Sequence, residues 1–167
     1  LDGDITSNIL NYAYNYWYLI PENIRNDFLN QGWKLVITDK SISKEFDISY
    51  EVSGITLPKE KKIVIYGSQS CIRYALVHEV GHYIDVRNNF ISRGIEFKDM
   101  YKRNGSKMLE YNNNYVQASY SEEEYFAEIY RAHLLGDYKM KLIFSNDIEF
   151  VLNSCNNIGA VYKNEEA

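Results

Sequence analysis

Apolar residues recur at imperfect helical spacing through the first 29 residues of the chain, and Pro21 interrupts the series. Because proline removes a backbone donor and clashes with the preceding turn, the segment 5–29 is predicted to form two short helices. Three later segments are rich in β-branched and aromatic residues and are bounded by glycine or proline. They predict three strands, at residues 33–38, 48–57 and 62–66.

The pattern changes to helical periodicity after residue 67. A central helix over 68–88, with Ser70 as its N-cap, is predicted from the apolar positions Ile72, Ala75, Leu76, Val80 and Ile84. A helix over 96–103 is expected to end before Gly105, and the asparagines at 112–114 indicate a surface loop. Two more helices are predicted, over 121–135 and 139–153.

Residues 78–82 read HEVGH within the central helix. Side chains four residues apart lie on one face of a helix, so His78 and His82 are expected to share one tetrahedral Zn²⁺ ion. Glu79 lies too far round the helix to coordinate, yet near enough to take a proton from a zinc-bound water. A solvent-facing histidine pair is the alternative, but the apolar periodicity of this helix favours burial at a cleft.

A catalytic zinc site usually has a third protein ligand, and the segment SEEEYFAEIYRAH from Ser121 offers candidates. Glu124 and Glu128 are four residues apart and share one helix face. Ser121 followed by Glu124 is also a capping box, which explains Glu124 without any metal. His133 is a weaker candidate ligand, and Glu122 and Glu123 are interpreted as solvated charges of the first helical turn.

Ligand histidines usually donate their second N–H group to a carboxylate or a carbonyl. Asp85 shares the helix face of His78 and His82, so either Asp85 or Glu128 is predicted to orient them. Gly81 lowers helix propensity by about 1 kcal/mol relative to alanine. We therefore interpret it as clearance for a neighbouring helix or for the metal.

Composition narrows the class of protein. With 46% hydrophobic and 25% charged residues, the 167-residue chain is predicted to fold as a single domain over residues 1–167. The net charge of -5 and the scattered Lys and Arg residues argue against nucleic acid as a partner, and no apolar run reaches the roughly 20 residues of a membrane span. Cys71 and Cys155 are too few for a disulfide scaffold, and their pairing is left open.

The segments ALVHEVGHYID at 75–85 and EYFAE at 124–128 resemble the lethal-factor-like family of zinc metallopeptidases, which includes the catalytic domain of anthrax lethal factor and the clostridial Pro-Pro endopeptidases. The strand-rich segments GWKLVITDK and KKIVIYG occur in matching order. The resemblance implies that Glu124 is the third zinc ligand and that Glu128 supports the site from behind.

The family also has a tyrosine upstream of this ligand that stabilises the oxyanion. In ungapped register the position is Gln117, so the role requires Tyr115, which we favour, or a rearrangement that uses Tyr120. This departure from the family pattern leaves a second hypothesis open, in which the chain is a catalytically weak or inactive binding or targeting domain of a larger toxin.

The implied fold is a compact α+β zincin with a small mixed sheet on the HExxH helix and a mainly helical C-terminal part. By analogy, residues 62–66 or 51–56 are expected to act as an edge strand that binds the substrate. The implied function is a secreted zinc endopeptidase that hydrolyses a protein or an extended peptide. Attack by a zinc-bound water, with Glu79 passing the proton to the leaving amine, is the expected mechanism.

Overall fold

The structure, a computed structural model, describes residues 5–158. Its α-helices are α1 (Ser7–Trp17), α2 (Glu22–Asn30), α3 (Ile42–Glu45), α4 (Gln69–Arg87), α5 (Ile95–Tyr111), α6 (Glu122–Leu134), α7 (Tyr138–Ile143) and α8 (Ser145–Asn157). Its strands are β1 (Lys34–Thr38), β2 (Gly54–Leu57) and β3 (Lys62–Tyr66), and short 3-10 helices lie at Pro58–Glu60, Ile91–Arg93 and Asn113–Ser119. This content confirms the predicted α+β class.

The residues form two compact units, and the division falls between Val80 and Gly81. Helix α4 runs through this division as one uninterrupted helix of 19 residues. The single domain over 1–167 stays a prediction. None of the helices among residues 5–158 has the length and apolar character that a membrane crossing requires.

The first unit contains the three-stranded sheet, with the order β1-β3-β2. β1 pairs with β3 in parallel and β2 pairs with β3 antiparallel, so the sheet is mixed, as predicted. The expectation that residues 62–66 form a substrate-binding edge is wrong, because they form β3, which has a neighbour on each side. Strand β2 is an edge of this sheet and is shorter than the predicted 48–57.

One face of the sheet packs directly on α4. Ile63 and Ile65 in β3 are fully buried, and Gly54 and Thr56 lie opposite them in β2. A Cβ atom on Gly54 would lie 2.8 Å from Ile65 Cδ1 and 2.9 Å from Ala75 Cβ. The absence of a side chain at Gly54 therefore lets the edge strand approach the helix closely.

The two short N-terminal helices are confirmed. Pro21 is the N-cap residue of α2, where its missing N–H group costs no hydrogen bond. The ring of Phe28 packs 5.2 Å from that of Trp17 and 5.8 Å from that of Trp33, measured between centroids. These contacts join α1 and α2 to the start of the sheet.

The N-cap residue of α4 is not the predicted one. The side chain of Ser68, and not that of Ser70, accepts a hydrogen bond from the backbone N–H of Cys71, at 3.2 Å. Both residues are serines close to the helix start, so periodicity alone did not decide between them.

The second unit is helical, and Phe97 lies in its core. The ring centroid of Phe97 lies 5.7 Å from that of Tyr125, 5.4 Å from that of Phe126 and 5.1 Å from that of Phe150. These ring contacts join α5, α6 and α8.

Two predicted helices in this unit have wrong boundaries. Helix α5 continues through Gly105, where a Cβ atom would lie 2.9 Å from the carbonyl oxygen of Ala118, so the glycine permits a close approach and does not end the helix. The asparagine-rich segment leads into the 3-10 helix Asn113–Ser119. The single helix over 139–153 is two helices, because Phe144 leaves helical geometry.

Candidate metal centre

The histidine pair lies in the buried middle of α4. His78 is 3% exposed, and the side chain of His82, one turn later, is 17% exposed. The run from Ala75 to Asp85 is buried at almost every position. The pair therefore does not lie on a solvent-facing helix surface.

Glu124 reaches His82 from the first turn of α6. Its Oε1 lies 3.5 Å from His82 Nε2, while its backbone N–H donates to the side chain of Ser121 at 3.2 Å. The cap and the candidate ligand are thus compatible, because the cap uses the backbone of Glu124 and leaves its carboxylate to face the histidine. Ligand atoms of His78, His82 and Glu124 all lie within 4.8 Å of one another, a grouping suited to a metal ion that does not include His133.

Gly81 sets the approach of α4 to α6. A Cβ atom there would lie 2.7 Å from Cα, 3.1 Å from Cβ and 3.2 Å from the carbonyl oxygen of Ala127. Any larger residue must therefore push the backbone of α6 away. The predicted clearance is for the neighbouring helix.

Two ion pairs hold the first turn of α6. Glu123 Oε1 accepts a hydrogen bond from Arg93 Nε at 2.7 Å, and Glu122 lies 3.4 Å from the ammonium of Lys98. Burial raises the pKa of Glu123, but the hydrogen bonds it accepts, first among them that from Arg93, outweigh this and leave the pKa below its usual value. These two residues are therefore not merely solvated charges, because they tie the turn that carries Glu124 to neighbouring segments.

Glu79 is 7% exposed, and its carboxylate has a partner in the edge strand of the sheet. The hydroxyl of Thr56 donates to Glu79 Oε2 at 2.7 Å and also lies 3.0 Å from the carbonyl oxygen of Glu79. Thr56 was not predicted from the sequence. The only signal in the sequence was the presence of Gly54 and Thr56 two residues apart in a predicted strand. Together they give one face of that strand little side-chain bulk.

Asp85 is almost fully buried and holds the segment after α4. Its Oδ1 accepts from the N–H of Ser92 at 2.9 Å, and its Oδ2 accepts from the hydroxyl of Ser92 at 2.7 Å. Burial raises the pKa of Asp85, and the two hydrogen bonds from Ser92 and the nearby His82 offset part of this increase. Its role in orienting the histidines stays a prediction.

Glu128 forms a buried ion pair one turn after Glu124. Its Oε2 accepts a hydrogen bond from Arg131 Nε at 2.7 Å and lies 2.6 Å from Arg131 Nη2. Arg131 also donates to the carbonyl oxygen of Asn114 at 2.7 Å, and its guanidinium lies 4.9 Å from the ring centroid of Tyr115. The proposed support of the metal site by Glu128 stays a prediction.

Tyr115 is 7% exposed, and its hydroxyl donates to Asp137 Oδ2 at 2.8 Å. Burial and the hydrogen bond to Asp137 raise its pKa well above the usual range. Its single hydroxyl proton is used in this bond, so the predicted oxyanion role requires the bond to break. Gln117 and Tyr120 are exposed, Tyr120 at 66%.

Comparison with known proteins points to one family and one fold. The model of the family described as anthrax toxin lethal factor, N- and C-terminal domain, matches residues 38–143, which include all the residues of the candidate metal centre. No curated protein sequence matches the chain.

A solved structure matches almost the whole chain. It is the Pro-Pro endopeptidase PPEP-2 from Paenibacillus alvei, with a TM-score of 0.71 and 18% sequence identity over 92% of this chain and 94% of that chain. At this identity the likeness concerns the fold, and it agrees with the predicted zincin-like architecture.

Proposed function

The chain belongs to the family of the anthrax toxin lethal factor, N- and C-terminal domain, and from that premise we propose that it is a zinc-dependent endopeptidase acting on a protein or an extended peptide. The observation that carries the proposal is the group of His78, His82 and Glu124, with Glu79 directly after the first histidine. The fold shared with a Pro-Pro endopeptidase supports it.

The donor set fits zinc. Two imidazoles and one carboxylate are a usual ligand set of catalytic zinc, which keeps its fourth position open. Two ligand atoms at zinc-binding distance from a tetrahedral ion lie about 3.4 Å apart. The separation of 3.5 Å between His82 Nε2 and Glu124 Oε1 matches this spacing.

A zinc ion bound here would supply Lewis acidity, which polarises a carbonyl and makes water more acidic. Glu79 takes a proton from the attacking water and delivers it to the departing amine, so that a C–O bond forms as the C–N bond breaks. The burial of Glu79 keeps its carboxylate in a poorly solvated place, where a proton transfer needs little rearrangement of water.

Strand β2 is the element that we assign to substrate binding. It is an edge of the mixed sheet, and one of its residues, Thr56, contacts Glu79. An extended peptide can add to such an edge through main-chain hydrogen bonds. A substrate placed along β2 would pass close to the general base.

Cleavage of a diverse peptide library by the purified protein tests the proposal. We expect cleavage that a chelator abolishes and that zinc restores. Glu79→Gln should lower kcat by at least about 1000-fold and still bind one zinc ion, since it keeps all three ligands. Glu149→Gln, at an exposed position of α8, is the matched control and should leave activity unchanged. Activity that survives in Glu79→Gln would refute the mechanism.

A second function is favoured by one observation, the hydrogen bond that holds the hydroxyl of Tyr115 on Asp137. Without an oxyanion donor, the protein would bind its target and turn it over poorly. Stoichiometric zinc, no cleavage of any library peptide and a stable complex with a carrier or host protein would favour this function. We also propose that the protein acts outside the cell, and its detection in the culture medium of its source would test this.

A further inference from the structure

Two residues of strand β2 contact the side chain of Glu79. Thr56 Oγ1 lies 2.7 Å from Glu79 Oε2, a short hydrogen bond to a carboxylate. The carbonyl oxygen of Glu79 is also within reach of this hydroxyl, at 3.0 Å. A hydroxyl has one proton, and the shorter contact to the charged oxygen is the stronger one. Thr56 therefore fixes one oxygen of the carboxylate.

Gly54 provides the second constraint. A Cβ atom on Gly54 would lie 3.0 Å from Cγ of Glu79, so the backbone of β2 packs against the side chain itself. Gly54 and Thr56 are two residues apart in the strand and face the same side. Together they limit the rotation of the Glu79 side chain, and the hydrogen bond from Thr56 uses only its Oε2 oxygen.

The backbone of Thr56 points in another direction. In an antiparallel pair, directly opposite residues alternate between hydrogen-bonded and non-hydrogen-bonded pairs. The N–H of Tyr66 donates to the carbonyl of Ser53, its opposite residue, at 2.9 Å, so Thr56 falls in a non-hydrogen-bonded pair with Ile63. Its own N–H and C=O groups consequently point away from β3, toward the free edge of the sheet.

We propose that Thr56 is a positioning residue that connects the substrate-binding edge with the general base. Its backbone belongs to the edge of β2 that an added peptide strand would pair with, and its hydroxyl holds Glu79 in the orientation that accepts a proton. Binding of the substrate strand and placement of the base thus depend on the same residue. This inference rests on the proposed peptidase function and adds a residue to it.

Replacement of the hydroxyl without loss of shape tests the inference. Thr56→Val keeps the volume and the strand preference, and Thr56→Ser keeps the hydroxyl. Ile37→Val, in β1 on the other side of β3, is the matched control. We expect Thr56→Val to lower kcat by about 100-fold, because a small displacement of a catalytic group has an effect of this size. KM should change by less than about threefold, and Thr56→Ser and Ile37→Val should stay within about threefold of the wild type.

A second measurement does not depend on activity. Crystal structures of the metal-free proteins should show one orientation of the Glu79 carboxylate in the wild type and in Thr56→Ser. The Thr56→Val structure should show a displaced or multiply oriented carboxylate. If Thr56→Val does not fold, Thr56→Cys, with a weaker donor, takes its place and should give an intermediate loss of kcat.

The outcomes separate the inference from the function on which it rests. If the wild type cleaves peptides in a Glu79-dependent way and Thr56→Val has normal kcat with an unmoved carboxylate, the inference is overturned and the function stands. If the wild type cleaves nothing, the proposed function fails, and the position of Glu79 in the variant crystals alone decides whether Thr56 holds it. A loss of kcat that serine does not rescue would assign Thr56 a packing role and also overturn the inference.

Discussion

Gly81 and Ala127 bring α4 and α6 together backbone against backbone. The distance of 2.7 Å from a Cβ atom at Gly81 to the Cα of Ala127 is shorter than real Cβ atoms show, so only glycine fits here. His82 directly follows Gly81, and Glu124 lies one turn before Ala127. The spacing between His82 and Glu124 therefore depends on this contact.

We predict that Gly81→Ala weakens zinc binding by at least about 10-fold, because α6 must move away and carry Glu124 with it. The added methyl group meets backbone atoms, which cannot rotate aside as a side chain can. Zinc affinity measured by competition with a chromogenic chelator, together with the unfolding temperature of the metal-free protein, checks this.

The control for this prediction is Arg73→Ala, an exposed position of the same helix, which should bind zinc as the wild type does. In an unconstrained helix, replacement of glycine by alanine stabilises by about 1 kcal/mol. A Gly81→Ala protein that is more stable than the wild type and binds zinc normally would show that the helices tolerate a wider separation.

Glu124 and Glu122 allow a matched test of the third ligand. Both lie in the first turn of α6, but the carboxylate of Glu124 faces His82 and that of Glu122 pairs with Lys98. We expect Glu124→Gln to weaken zinc binding by more than about 100-fold, since the loss of a ligand exceeds the effect of losing an outer partner. Glu122→Gln should change the affinity by less than about threefold, because its partly exposed ion pair is weak and the Ser121 cap and the Arg93–Glu123 bond still hold the turn. Equal zinc affinities in the two variants would rule out Glu124 as the ligand.

The parts of this site that follow from local periodicity were predictable from the sequence. The spacing of His78 and His82 follows from the helix repeat, and the apolar residues around them indicate that α4 is buried. Local spacing did not identify the third candidate ligand, because Ser121 and Glu124 fit a capping box as well as they fit a metal site. The structure has both, because the cap uses the backbone N–H of Glu124 and its carboxylate faces His82.

The parts that depend on contacts distant in sequence were not predictable. Nothing local shows that β3 lies between β1 and β2, because strand order is set by pairing across the chain. Thr56 and Glu79 are 23 residues apart, and no spacing rule relates them. Gly105 has the sequence features of a helix end, but the nearby carbonyl of Ala118 is what requires a glycine there.

Replacement of Tyr115 and of Tyr120 by phenylalanine should have different effects on stability and activity. Tyr115→Phe removes the hydrogen bond to Asp137, which should destabilise the fold by about 1 kcal/mol and leave kcat within about threefold. Tyr120 is exposed and lies directly before the Ser121 cap, so Tyr120→Phe should lower kcat by about 100-fold if this residue moves in as the oxyanion donor. Urea unfolding and steady-state kinetics on both variants check this. A loss of kcat in Tyr115→Phe alone, with stability unchanged, would support the predicted oxyanion role of Tyr115.

The two cysteine thiols should differ sharply in reactivity. Cys71 is partly exposed, whereas Cys155 is buried, and burial raises the pKa of the Cys155 thiol to about 12. Because the thiolate is the reactive form, only about one Cys155 thiol in 10⁴ is reactive at pH 8. Iodoacetamide followed by peptide mass mapping should label Cys71 in the native protein and label Cys155 only after unfolding.

The same burial predicts a loss of stability at alkaline pH. The folded protein keeps the Cys155 proton that the unfolded chain releases above about pH 8.5, so the free energy of unfolding falls as the pH rises from there toward 12. The slope from this group approaches about 1.4 kcal/mol per pH unit. Urea unfolding at pH 7.5 and 9.5 should show a decrease about 1 kcal/mol larger in the wild type than in Cys155→Ala, which has no thiol to titrate. Equal decreases in the two proteins would mean that the thiol ionises as readily in the folded state as in the unfolded chain.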